Sequence, residues 1–341
     1  MELIATLTHD FITVTRGGLI NDTGNIGNLD LVSDLVLWEK GRFHYQGLFN
    51  YGDPLSQWMG DVQVANNMEA PKGYKTYELW YEQEWDKLLL RIGQQEINNR
   101  FAWTENGLLF INSSFGIGPE FTLNIPVSTF PFTGLGITFV YNIHQDLHLR
   151  MGLFDGDPGL DAAVPWKKRM VLSRSEGSFG IGELQWSRWG QHRLGVWRHS
   201  TRKGQQQLWG SYLLGDIPLH KKQSQEEDGW GLFYQLGWTP KNAPVVSHYQ
   251  GIGIVYRGLF ASNKDAFGVA FGRAQLSSIG KQQLSLSNTL QSEQVLEFTY
   301  AYTPKSFIQI QPNWQYVLHP ASQKEIANAS VFMLRIILGV L

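Results

Sequence analysis

The segment 95–118, QEINNRFAWTENGLLFINSSFGIG, combines aromatic rings with many groups that donate or accept hydrogen bonds. Carbohydrate sites use the same mixture, because flat rings pack against the C–H faces of a sugar while planar carboxylate, amide and guanidinium groups satisfy its hydroxyls. The candidate side chains are Glu96, Asn98, Asn99, Arg100, Trp103, Glu105 and Asn106. The segment therefore predicts a site for a polyhydroxylated ligand. The alternative is that Arg100 pairs with Glu96 or Glu105 only to hold the loop in place.

Patterns that would carry other chemistry are missing from the sequence. It contains no cysteine, no HExxH and no GxSxG, and its nine histidines have no metal-ligand spacing. FDGDPG brings Asp155 and Asp157 together but lacks the later glycine and glutamate of a calcium loop, so a turn is the better interpretation. We therefore expect no metal, no cofactor and no catalytic residue. A net charge of −2, from 28 basic and 30 acidic residues, gives no reason to expect a nucleic-acid partner.

The element that follows the first long loop shows how such a segment would be positioned. In YELWYEQ, residues 77–83, Tyr77, Leu79 and Tyr81 share one face of a strand, and Glu78, Trp80 and Glu82 share the other. The same alternation predicts sixteen strands, at 3–15, 28–37, 42–50, 74–83, 87–94, 134–143, 147–155, 177–188, 193–199, 206–215, 229–238, 249–259, 265–275, 294–303, 306–316 and 328–340.

The lengths of the connections between these strands alternate along the chain. Tight turns such as EWD and HQD follow most even-numbered strands, whereas most odd-numbered strands are followed by long loops. This alternation is typical of an up-and-down barrel with turns at one rim and functional loops at the other. We predict an all-β fold, a transmembrane antiparallel β-barrel that forms a single domain over 1–341. The loops at about 51–73 and 95–133 are expected to constrict its lumen.

The alternating pattern itself is the same for a soluble sandwich and for a membrane barrel, with the apolar face turned inward or outward. Aromatic residues at strand ends, the alternating loop lengths and the charged residues among inner-face glycines favour the membrane barrel. On this interpretation, Tyr77, Leu79 and Tyr81 face lipid, and Glu78, Trp80 and Glu82 face the lumen. The N-terminus has no signal-peptide pattern, so we expect a leader that has been removed during export to a bacterial outer membrane.

Several runs of the sequence together resemble the carbohydrate-selective porins of the OprB type. They are YGDPLSQWMGDVQVANNMEAP, YELWYEQ, LRIGQQEINNRFA, LFINSSFGIGPEF and MGLFDGDPG, and the similarity continues through GLFYQLGW, GIGIVYRGLF and IQIQPNWQYVLHP. The resemblance starts near residue 17 and is most specific over 51–118. It implies a sixteen-stranded barrel in the outer membrane of Gram-negative bacteria, through which small sugars such as glucose diffuse without an energy source.

The resemblance also implies which residues line the pore or bind the sugar. The positions that fit are Glu69, Glu78, Trp80, Arg91, Glu96, Asn98, Asn99, Arg100 and Asn112, to which the composition of the long loop adds Trp103. The expected partners are small sugars and outer-membrane lipid. A homotrimer stays open, because porin trimers are common but no segment here marks a trimer face.

Two other functions stay open from the sequence. The first is a porin for small carboxylates or other nutrients, which would require more inward-facing Arg and Lys than Asp and Glu. The predicted strand faces do not show such a surplus. The second is a soluble all-β carbohydrate-binding protein or hydrolase, which would be extracted without detergent and, as a hydrolase, would need two carboxylates about 5–10 Å apart in a cleft.

Overall fold

The chain forms a closed antiparallel barrel. The computed structural model describes residues 2–158, 177–200, 207–221, 229–259, 265–283 and 290–339. Every strand pairs with its neighbours in sequence, and β1 pairs with β16 to close the sheet. Within the described residues the strands are β1 (Glu2–Gly18), β2 (Thr23–Trp38), β3 (Gly41–Gly52), β4 (Gly73–Glu84), β5 (Leu88–Gln95), β6 (Gly134–His144), β7 (Leu147–Asp155), β8 (Ser178–Trp186), β9 (Gln191–Ser200), β10 (Leu208–Lys221), β11 (Gly229–Trp238), β12 (Val246–Arg257), β13 (Ala266–Leu276), β14 (Ser292–Lys305), β15 (Ile308–Leu318) and β16 (Ala327–Leu338).

The sixteen predicted strands are confirmed in order and topology over the described part of the chain. The largest differences concern strand lengths: β2 starts at Thr23, earlier than predicted, and β10 continues to Lys221. The first residues of the run IPLHKKQSQEEDG, 217–229, are therefore strand rather than loop. Four short α-helices lie in the connections between the described strands: α1 (Leu55–Met59), α2 (Ser113–Gly116), α3 (Pro119–Thr122) and α4 (Ser278–Gln283). None of the described helices is long and apolar enough to cross a membrane.

Alternation along the strands separates an exposed apolar wall from a buried lumen. Ile92 on β5 and Leu153 on β7 point outward and are 53% and 55% exposed, whereas their neighbours Arg91 and Phe154 point inward and are buried. Aromatic rings cluster where strands end, for example Trp209 against Trp238, with ring centroids 4.8 Å apart. An exposed apolar face bounded by aromatic girdles is the outer surface of a barrel that lies in lipid.

Two long loops fill much of the lumen. The 53–72 loop contributes Leu55 and Met59, and the 96–133 loop, called the inner loop below, contributes Phe110, Ile111 and Phe115 to one apolar cluster. This cluster packs on inner-face residues of β1, β2 and β11–β16, namely Ile12, Val14, Ile26, Phe233, Val255, Ala270, Val295, Val317, Ala329, Val331 and Met333. Both loops therefore have a core of their own inside the barrel.

A second cluster fixes the other half of the inner loop. Phe121 packs edge-to-face against Phe179, Trp197 and Tyr212 on the inner faces of β8, β9 and β10. Ile97, at the other end of the loop, is fully buried in the same cluster. The segment 119–133 thus belongs to the inner loop and contains α3 rather than a strand of the wall.

One residue of the predicted lipid face turns inward. The pairing of β3 with β4 shifts between Gln46 and Gly47, which leaves Tyr77 as an extra residue on β4. Tyr77 is only 4% exposed, and its ring contacts Phe130 of the inner loop at a centroid distance of 6.1 Å. The prediction that Tyr77 faces lipid is wrong because a β-bulge interrupts the period-two alternation.

Candidate functional site

Carboxylates on the inner wall hold the backbone of the inner loop. Glu297 on β14 accepts the N–H groups of Ile111 and Asn112, at 2.6 and 3.0 Å. Asp216 on β10 accepts those of Glu105 and Asn106, at 2.8 and 2.9 Å. Each carboxylate thus binds two consecutive peptide groups, in bonds that its negative charge strengthens. These acidic residues face the lumen but are occupied by the loop.

The start of the inner loop is bound in the same way. Glu78 on β4 accepts the N–H of Glu96 at 2.7 Å and the side-chain amide of Asn99 at 3.0 Å. Glu96 in turn accepts the hydroxyl of Thr129 and the N–H of Phe130, at 3.0 and 3.2 Å. Burial, followed by the nearby charge of Glu78, raises the pKa of Glu96 to about 7. The two acidic side chains therefore connect the wall to both ends of the inner loop.

The 53–72 loop also binds to an acidic residue of β14. Glu293 accepts the N–H groups of Val62, Gln63 and Ala321, at 2.9, 2.8 and 2.6 Å. Asp61 lies close enough for the charge of Glu293 to add to the effect of burial, and the pKa of Asp61 is raised well above its usual value. The loop thus lies inside the barrel against β14, β16 and β1, and it reduces the lumen on that side.

Three arginines surround one carboxylate where the inner loop faces the wall. Glu82 on β4 accepts hydrogen bonds from Arg42 at 2.9 Å, from Arg91 at 2.9 Å and from Arg100 of the inner loop. The side chains of Arg42 and Arg100 are 42% and 22% exposed, so both reach open space in the lumen. Asp34 on β2 lies 3.9 Å from Arg42 and supplies a second carboxylate, so acidic and basic groups alternate in this cluster.

The ring of Trp80 packs against the cluster of arginines around Glu82. His44 stacks on this ring at 4.4 Å with the planes 12° apart, and the guanidinium of Arg91 lies 3.5 Å from the ring centroid. Two groups this close to one centroid must cover opposite faces of the ring. Because Trp80 is only 3% exposed, it orients Arg91 and leaves no free face for a solute.

A second aromatic and basic group lies farther along the inner loop. The ring of Trp103 is half-buried, and the guanidinium of Arg193 on β9 lies 3.7 Å from its centroid. Arg150 on β7 donates to Glu183 on β8 at 3.1 Å, and Glu183 also accepts the N–H of Ala102 at 2.9 Å. Rings and planar charged groups thus continue around the lumen from β3 to β10.

One acidic residue of the inner loop has no basic partner among the described residues. Glu120 is 3% exposed, one of its carboxylate oxygens has no hydrogen-bond partner, and burial raises its pKa to about 7. It lies against Gly237 of β11, where an added Cβ would come within 2.0 Å of the Glu120 carboxyl. A larger residue at 237 would therefore displace the Glu120 carboxyl from its position against the wall.

The family model of the carbohydrate-selective porins, OprB family, matches residues 28–338. The chain belongs to this family. It is 24% identical over 336 residues to Porin B of Pseudomonas aeruginosa, with 84% of this chain and 72% of that protein covered.

Solved structures show the same barrel. OprB of Pseudomonas putida, in a high-pH structure, superposes with a TM-score of 0.86 at 18% identity, covering 99% of this chain and 94% of that one. The outer-membrane channel DcaP of Acinetobacter baumannii gives a TM-score of 0.63 at 11% identity, covering 99% and 96%. The chain is accordingly an outer-membrane porin for carbohydrates and not an enzyme, and the predicted sixteen-stranded transmembrane barrel is confirmed.

The porin places its predicted site residues in three groups. Asn98, Asn112 and Glu69 bond within the loops: Asn98 donates to the carbonyl of Gly116 at 3.2 Å, Asn112 accepts from the N–H of Ser114 at 3.1 Å, and Glu69 accepts from the N–H of Ser56 at 2.9 Å. Glu78, Glu96, Trp80 and Arg91 are occupied as described above. The predicted residues with side-chain surface toward the lumen are Asn99, Arg100 and Trp103.

Sequence reasoning missed several charged residues of the porin wall as site candidates. They are Arg42, Arg150, Glu183, Arg193 and Asp216. All but Asp216, which lies one residue past the predicted strand 206–215, occupy inward positions of predicted strands, so the alternation itself could have found them. Which of them meet the inner loop depends on where the loop lies, and that is not encoded in a local pattern.

Proposed function

We propose that small neutral sugars cross the porin between the inner loop and the wall from β3 to β10. The observation that supports this most directly is the hydrogen bond between Arg100 of the loop and Glu82 of the wall, which marks the place where the two sides meet. Asn99, Trp103 and the exposed part of Arg42 lie on the same path. We assign the constriction to these side chains.

The chemistry of these groups suits passage of a sugar. Guanidinium and carboxylate groups replace water at the sugar hydroxyls one by one, while the half-buried ring of Trp103 offers apolar contact to the C–H face. The groups are already paired with one another, so a sugar gains little by displacing a partner. Binding is therefore weak, which a channel requires because a tightly bound solute would stop the flux.

A second candidate function is the passage of small carboxylates. It is favoured by the arginines whose side chains keep surface in the lumen, Arg42, Arg100 and Arg150, at 42%, 22% and 15% exposed. Several acidic residues of the wall, such as Glu297 and Asp216, are occupied by backbone N–H groups of the inner loop. The positive charge is therefore more available to a solute than the total charge of the lumen suggests.

Single-channel recording in a planar bilayer distinguishes the two functions. We expect glucose to reduce the current of the wild-type channel saturably at millimolar concentrations, as a weak site does, and maltose to act less because two rings do not fit the same constriction. Block by succinate without block by glucose would move the assignment to carboxylates. A protein that forms no channel would contradict both.

We also infer that the chain is one domain, since the barrel strands follow one another from β1 to β16 and both loops pack inside the barrel. A homotrimer stays a prediction. Its support is the exposed apolar wall around Phe11 and Phe332, which offers the same contact to lipid and to another copy. The mass of the complex in mild detergent checks it: three copies would support the homotrimer, and a single copy would contradict it.

A further inference from the structure

The outer wall carries a groove that the passage of sugar does not use. A cavity of about 600 Å³ opens on the surface of β5–β9 and is lined by Ile92, Leu135, Ile137, Leu153, Ser178 and Ser200, together with backbone of the adjoining residues. Ile92 and Leu153 point away from the lumen and are more than half exposed. The groove therefore faces lipid, and its volume is in the range of a small-molecule site.

The groove is apolar along its length and polar at one end. Ser178 and Ser200 lie at the loop end, where their hydroxyls are 3.0 Å apart. Asp155 is buried at the same end and has interactions of its own within the protein. In outer-membrane barrels the long loops are extracellular, so this polar end lies at the headgroups of the outer leaflet.

A positive charge stands beside the groove at that level. Across the sheet, Leu153 pairs with Gly180, Gly180 with Arg198, and Arg198 with Trp209. Arg198 points outward and is exposed, and its hydrogen bond goes to the neutral side chain of Gln207. It lies next to the Trp209–Trp238 pair of the aromatic girdle, which marks the height of the headgroups.

Gly180 keeps the path between the groove and Arg198 open. A Cβ added at Gly180, or at Gly182 two residues farther along β8, would meet no atom within 4 Å. The backbones of Leu153 and Arg198 are two strand spacings apart, about 10 Å, which an arginine side chain and a headgroup bridge together. The apolar groove, the open space beside Gly180 and the guanidinium of Arg198 thus follow one another along the outer wall.

We propose that this groove binds one acyl chain of lipid A, the phosphorylated glycolipid of the outer leaflet, with a lipid phosphate on Arg198. The acyl chain packs on Ile92, Ile137 and Leu153, and a sugar hydroxyl or ester of the lipid reaches Ser178 and Ser200. The site is on the opposite side of the wall from the lumen, so it anchors the barrel in its leaflet and does not act on the solute.

Native mass spectrometry of the full chain in detergent, titrated with hexa-acylated lipid A, tests the proposal. The wild type is expected to bind one lipid A. Arg198→Ala should weaken binding about fivefold, as expected for one basic residue at a membrane surface. Gly180→Leu, which fills the gap, should weaken binding about tenfold or more, because the acyl chain loses buried methylenes.

The matched control is Ala5→Leu, which adds the same side chain on the exposed outer face of β1 and should leave lipid binding unchanged. Channel conductance, measured for each variant, verifies that the barrel has folded and is expected to stay at the wild-type value. Equal lipid A binding by wild type, Arg198→Ala and Gly180→Leu would overturn the proposal. Equal binding of lipid A without phosphates would also overturn it. So would loss of an oligomer in Gly180→Leu with lipid A binding unaffected, since the occupant of the groove would then be a second copy of the chain.

Discussion

Glu297→Ala is expected to release the inner loop from the wall and to give a channel with higher conductance, larger current fluctuations and weaker block by glucose. The carboxylate of Glu297 is the acceptor for the N–H groups of Ile111 and Asn112 and for the side chain of Asn313. All of these groups are buried, so its removal leaves them without a partner. Two lost bonds to a charged group cost about 3–6 kcal/mol in loop anchoring.

The measurement is single-channel recording of wild type, Glu297→Gln and Glu297→Ala. Glutamine keeps one acceptor oxygen and should give an intermediate conductance. Glu84→Ala is the matched control, because Glu84 is an exposed acid at the turn end of β4 whose distance to Lys40 is 3.9 Å. Conductance and fluctuations identical to the wild type in Glu297→Ala would show that the apolar cluster alone holds the loop.

Asp216 and Glu297 are expected to act together in holding the inner loop against the wall. Asp216 binds the inner loop at 105–106 and Glu297 binds it at 111–112, so either one still holds the short segment between them. The double variant Asp216→Ala/Glu297→Ala should therefore increase conductance by more than the sum of the single changes. This cooperation explains why a long loop can stay inside a water-filled barrel.

The barrel could be predicted from the sequence because its signal is local. Alternation along each strand and the lengths of the connections are properties of neighbouring residues, and they gave sixteen strands in the right order. The bulge at Tyr77 was not predicted, since one extra residue in β4 depends on the partner strand β3. Alternation within one strand contains no information on the register between that strand and its neighbour.

The candidate site could be predicted only in part because its contacts are distant in sequence. The loop composition pointed to Arg100 and Trp103, which do reach the lumen. Glu297, however, looks in the sequence like any inward acid of a strand, and its partner is a peptide N–H 186 residues away. Trp80 was expected to line the pore or bind the sugar, yet His44 and Arg91 cover both faces of its ring.

Arg100→Ala is expected to weaken block by glucose roughly tenfold or more, the range for losing a hydrogen bond to a charged group. Arg100 is the member of the Glu82 cluster that comes from the inner loop, and its side chain is 22% exposed. Removing it also widens the constriction, so the ionic conductance should rise while the affinity for sugar falls. A rise in both would assign sugar binding to other residues.

Arg100→Lys separates charge from geometry at this position. Lysine keeps the positive charge but not the planar fork that bonds Glu82 and a sugar hydroxyl at once. We expect its anion selectivity, measured as the reversal potential in a salt gradient, to stay near the wild-type value, while its affinity for glucose falls nearly as far as in Arg100→Ala. Arg188→Ala, which removes a guanidinium lying on Trp189 at the turn end of β8, is the control that should change neither. If lysine restored full glucose block, the arginine would serve only as a charge, and the carboxylate function would gain over the sugar function.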